Sequence, residues 1–230
     1  NGAIHISAGG TVTVVNGGGG VSTSSSSPVQ ITAGGDAALD VNDPVSSSGG
    51  NVTLAADDDV SFGVDGDVSS NNGDISVTAD ADSDNNGSGG AVSMSDGGTD
   101  TQFDSGTGSI TLQADEHITV TSLTASTSTG DIQLTSTSGA VVDGGDTSAP
   151  DINSPSGNLD IDTVTGVGAG NALETEIDTL DVINDTSGDI RIAESDNIEI
   201  TRANQNTAGA VTVQTTSGSI TVSTNGITAT

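Results

Sequence analysis

Aliphatic residues alternate with Ser, Thr, Asp and Asn in short bursts along the whole chain, and most bursts open on a glycine. The unit reads glycine, any residue, aliphatic, any residue, aliphatic. It occurs at Gly2–Ile6, Gly50–Leu54, Gly73–Val77, Gly90–Met94, Gly108–Leu112, Gly130–Leu134 and Gly157–Ile161, and again at Gly188–Ile192, Gly209–Val213 and Gly218–Val222. A second burst often follows eight residues after the first, as Ile118/Val120 follows Ile110/Leu112 and Ile198/Ile200 follows Ile190/Ile192. Alternation with a period of two predicts strands with one dry and one wet face. The β-branched residues suit strands, and the Gly, Asn and Asp between them suit turns. No 3.6-residue apolar stripe is present, so almost no helix is expected.

Short strands at a ragged period of about 20 residues can form an antiparallel sandwich or a parallel solenoid. The second fits better. One pattern recurs without the alternation of different strands that a sandwich shows. The apolar side chains are small and alike, as stacking on their own kind requires, and spacing varies while the strand pattern stays constant. The expectation is an all-β fold, a parallel β-helix with inserted loops, in one domain over residues 1–230. Ile75, Ile110, Ile132 and Ile190 should point into one narrow core. Asn16 to Pro28, Ala79 to Gly90 and Asp143 to Gly157 read as loops protruding from the stack. The repeat is already running at Ile4 and still running at Val222. The expected partners are therefore flanking repeats or copies of the chain, stacked end to end.

Composition sharpens this picture. The 32 acids, 27 of them Asp, face two Arg and no Lys, for a formal net charge of -30. Such a surface excludes a nucleic-acid backbone and an anionic bilayer as direct partners. With no Trp, no Tyr and two Phe, the core must be thin and filled with Val, Ile, Leu and Ala. Zero Cys removes disulfides, thiolate catalysis and Cys-based metal sites. No apolar run reaches the ~18 residues of a membrane-spanning helix. A chain that opens on Asn1 without a signal peptide is expected to be a processed product or a piece of something longer.

Two stretches, Gly108 to Val120 (GSITLQADEHITV) and Gly188 to Ile200 (GDIRIAESDNIEI), resemble the repeats of filamentous-haemagglutinin-type proteins and other giant bacterial surface adhesins. The resemblance covers nearly the whole chain. It implies a right-handed β-helical rod that is exported and extends from the bacterial cell surface, where host-cell or surface glycans are the candidate partners.

Candidate chemistry is confined to the acids. Asp80, Asp82 and Asp84 have the alternating carboxylates that open a calcium loop. Asn85 and Ala91 stand where an EF-hand needs Gly and Glu, so that motif is not met. Asp57 and Asp59, in the run Asp57-Asp58-Asp59, would chelate calcium only if their loop turns two carboxylates inward. A solvated acidic face is the plainer reading of both clusters. No cofactor is required, and calcium is the one candidate ion. Glycoside cleavage needs paired carboxylates around a sugar, but there is no aromatic platform to stack one, and Arg191 and Arg202 are the only cations. No catalytic residues are assigned, and no enzyme is expected. His5 and His117 read as exposed strand positions, and both Arg as partners of neighbouring acids. The expected function is structural: an extracellular β-solenoid rod serving as an adhesin stalk or fibre unit. The alternative is a calcium-dependent adhesion module with its contacts in the acidic loops.

Overall fold

The computed structural model describes residues 2–83, 89–97, 100–125, 130–145, 150–223 and 225–230. The chain winds as a parallel β-solenoid of about nine turns. Every strand pairing within it is parallel, and among the described residues there is no helix. A sandwich built on hairpins is therefore excluded.

Each coil contributes strands to three stacked walls. The first wall begins with Ile4–Ala8, Val29–Ala33, Val52–Ala56, Ile75–Thr78, Ile110–Ala114 and Ile132–Ser136, each in register with the next. It continues through the second halves of Ile152–Thr163 and Leu173–Asn184. The second wall holds Val12–Val14, Leu39–Val41, Val60–Phe62, Val92–Met94, Ile118–Val120 and Val141–Asp143. The third wall holds Val21–Thr23, Val45–Ser47, Val68–Ser69, Gln102–Asp104 and Ser122–Thr124, then the start of Ile152–Thr163.

Alternation decides what is buried. In Val52–Ala56 the residues Val52, Leu54 and Ala56 point inward and Thr53 and Ala55 outward, and the same pattern recurs from coil to coil. The inward residues merge into one core from Val14 to Ala203. Both phenylalanines lie in it, edge to face with centroids 4.8 Å apart, a favoured aromatic geometry. Coil length is irregular: one turn separates His5 from Gln30 by 25 residues, Asp74 from Ser109 by 35, and Asp189 from Ala210 by 21. Pairing resumes after each insertion, with register shifts at Ser154/Asn158 and Leu180/Asp181.

The expected core residues are borne out, and two segments read as loops differ from the sequence expectation. Ile75, Ile110, Ile132 and Ile190 are all fully buried in one core, but only the first three stack in register. Ile190 stands on the second wall above Val167 and Val141. The glycine-led unit fits either wall, because what it encodes is a turn followed by a half-buried strand. Of the segments read as loops, Asn16 to Pro28 contains the third-wall strand Val21–Thr23, and Asp143 to Gly157 contains the start of Ile152–Thr163. One buried aliphatic flanked by small polar residues is enough for a third-wall strand, since the ladder itself supplies most of the pairing.

Candidate functional site

Many acidic side chains are engaged in holding one coil to the next. After three first-wall glycines, the next residue accepts a backbone N–H from the following coil. Asn51 takes that of Asp74 at 3.1 Å, Asp74 that of Ser109 at 3.0 Å, and Asp131 that of Asn158 at 3.0 Å. Asp189 does the same for Ala210 at 2.9 Å, which with Arg191 holds its carboxyl below the usual range.

The candidate calcium ligands share this duty. Asp57 Oδ2 accepts the N–H of Gly35 at 2.7 Å, and Asp59 Oδ1 that of Ala91 at 2.9 Å. Asp80 occupies a left-handed turn with φ 54° and Asp82 is exposed. Asp84 lies outside the described residues. Both arginines pair with acids at 2.6 Å, Arg191 with Asp189 and Arg202 with Asp181. His5 and His117 are exposed, and lie against Gln30 and the Ala140 N–H respectively.

A different group of acids converges below the surface, with Asp143 and Asp151 buried and Glu174 half-buried. In Val141–Asp143 the alternation places Asp143 inward, in register with the core residue Val120 one coil earlier. Around the next corner, Asp151 precedes the third-wall residue Ile152 and is 2% exposed. One coil later, Glu174 comes opposite Asp151 and donates its N–H to Asp151 Oδ2 at 3.1 Å. One carboxylate oxygen from each of Asp143, Asp151 and Glu174 lies within 4.8 Å of the other two. Asp151 also lines a cleft with Asp96, Asp100, Thr121, Gly144 and Gly145.

The electrostatics follow from this crowding. Burial, and next the charge of Asp143, push the Asp151 carboxyl up to about 8; the Glu174 N–H opposes the rise and the Glu174 carboxylate adds to it. Asp143 Oδ1 accepts the Gly145 N–H at 2.7 Å. Its Oδ2 is buried and, among the described residues, accepts no hydrogen bond. A second buried acid shows that the fold can satisfy such a group by itself. Glu194 is 0% exposed, yet it accepts the Thr175 hydroxyl at 2.7 Å and the Ser195 N–H at 2.9 Å.

Local motifs could not reveal this cluster, because its members lie in separate bursts and meet only through coil register. One signal was legible. Asp143 takes an inward position of an alternating strand, where the earlier second-wall strands carry Val14, Val41, Phe62, Met94 and Val120.

No protein-family model, curated protein or solved structure matches this chain.

Proposed function

We propose that the chain is a structural segment of an extracellular β-solenoid rod, an adhesin stalk or the repeating unit of a surface fibre, and that it is not an enzyme. The observation that carries this reading is the parallel stacking: strand pairs with strand from the first described coil to the last, and pairing resumes after each of the two register shifts, at Ser154/Asn158 and Leu180/Asp181. The similarity of Gly108 to Val120 and Gly188 to Ile200 to haemagglutinin-type repeats supports the surface location. Ile220, Val222 and Ile227 on the last coil are open to solvent, and a further coil stacked there, from flanking repeats or another copy, would bury them.

Electron microscopy with sedimentation tests the form, and immunogold labelling of intact producing cells tests the place. Slender rods or fibres labelled at the cell surface are expected. Compact particles retained in the cytosolic fraction would overturn the reading.

A further inference from the structure

We propose that Asp143, Asp151 and Glu174 form an inner-sphere site for a hard divalent cation of the calcium class, which fastens the corner between the second and third walls to the coil that follows. Three lines of geometry meet here. First, the three carboxylates converge within 4.8 Å, and oxygen-only ligands of this kind select calcium or its hard relatives over softer metals. Second, Asp143 is 8% exposed and points inward from a column of apolar residues, with Oδ2 buried and taking no hydrogen bond among the described residues. Burying an ionised carboxylate oxygen is costly unless a counter-charge or donor meets it. Glu194 shows what satisfaction by the fold looks like, and Asp143 Oδ2 lacks it. Third, no cation of the protein is at hand, since both arginines are paired with Asp189 and Asp181.

The site spans two coils. Asp143 and Asp151 flank one corner, and Glu174 belongs to the coil above, so a bound ion ties consecutive coils together as the backbone ladder does. Asp96 and Asp100, from an earlier coil, line a cleft with Asp151 and add negative potential that draws a cation in. Calcium tolerates irregular geometry, whereas magnesium demands a near-ideal octahedron and sheds water reluctantly. Calcium is therefore expected to bind more tightly here.

The test must separate this site from the diffuse cation atmosphere of so acidic a surface. Melting is followed at pH 7 in about 0.15 M NaCl, where long-range attraction is screened, with chelator, Ca²⁺ or Mg²⁺. Calcium at about one hundred times its dissociation constant is expected to raise the melting temperature by about 5–10 °C, and magnesium by less. Directly excited Tb³⁺ supplies a readout independent of stability: its lifetimes in H₂O and D₂O should show that each carboxylate displaces at least one inner-sphere water. Asp151→Asn and Asp143→Asn should each abolish the calcium rise and restore the Tb³⁺ hydration. Both also take a carboxyl out of the crowded, largely buried cluster of the metal-free protein, so its melting temperature should increase. Asp82→Asn, on the exposed loop, should change neither. The proposal is overturned by a calcium-independent melting curve, by a rise that survives both cluster variants, or by one that disappears in Asp82→Asn.

Discussion

At the scale of single residues, this narrow coil can satisfy a buried acid with its own donors. Glu194 illustrates it. Burial lifts its carboxyl above the ordinary glutamate range, and hydrogen bonds from Thr175 and from the Asp196, Ser195 and Ile177 amides hold the rise back. The folded state therefore retains a proton at Glu194 over a window in which the unfolded chain has lost it. Stability contributed through this group is present at pH values below about 4.5 and declines as pH climbs through the raised folded value. Asp160 and Asp162 are raised as well, chiefly by burial and next by Asp181 and Asp185, so they pull in the same direction. Glu194→Gln removes the titration while keeping an oxygen for the Ser195 N–H and an NH₂ for the Thr175 hydroxyl. In chelator, the variant should match the native protein near pH 4.5 and melt at a higher temperature at pH 8. Melting curves across that range check it. An unchanged gap between the two proteins at every pH would show that Glu194 does not titrate in the window.

At the scale of elements, the decisive residue is the glycine that opens several of the first-wall strands. Its value lies in close approach. A Cβ on Gly108 would fall on the carbonyl oxygen of Gly73, one on Gly130 on that of Gly108, and one on Gly157 on that of Gly130. The column is sealed by buried hydroxyls three residues earlier. Ser105 donates to the Gly108 carbonyl at 2.6 Å, and Ser47 accepts the Gly50 N–H at 2.8 Å. Gly108→Ala should therefore cost about 1–3 kcal/mol through overpacking against backbone that cannot move aside. Because coils touch only their neighbours, the damage stays local. Hydrogen exchange should quicken in Ile75–Thr78 and Ile132–Ser136 and stay slow in Ile190–Glu194; equal quickening everywhere would contradict the nearest-neighbour picture.

These contacts also mark the limit of what the sequence shows. Period-two alternation at Val52, Leu54 and Ala56 identifies a half-buried strand because burial and pattern are one fact there. The glycine pattern announces the turn but not the wall, as Ile190 demonstrates. The third wall escapes because Val21, Val45 and Val68 each bring a single aliphatic, and their neighbours are the same Ser and Thr that populate loops. Thr163, Asn184 and Gln205 stack in register as a buried polar column, with Asn184 Nδ2 donating to Gln205 Oε1 at 2.6 Å, and nothing in their residue types marks them as buried. The acid cluster escapes for a related reason. Asp143, Asp151 and Glu174 are brought together by coil length, which depends on corner insertions that no local pattern encodes.

At the scale of the whole molecule, 32 acids wrapped around a thin core set two tendencies against each other. Coil stacking brings acids of successive turns close together, while each of them would be better separated in an expanded chain. Two surface ion pairs relieve little of this, since exposed pairs contribute about 0–1 kcal/mol each. Fixed partners do more: the N–H groups that Asp57, Asp74 and Asp131 accept turn part of the negative surface into inter-coil cement. The remainder is open to screening. Added salt shortens the Debye length from about 30 Å at 0.01 M to about 8 Å at 0.15 M and 3 Å at 1 M. Repulsion between coils should fade over that range while the hydrogen bonds and the core are untouched. In chelator, the melting temperature should accordingly climb from 0.01 M to 1 M NaCl. Most of the gain is expected once the screening length falls below the diameter of the coil. Choline chloride should reproduce the gain, because screening depends on ionic strength and not on a fitted ion. Calcium should act differently, saturating at one equivalent on top of any salt background. A curve that stays flat or falls with salt would mean that the inter-coil acids are already neutralised in the folded chain, by protons or by backbone donors, and that its charge opposes folding far less than the net value of -30 implies.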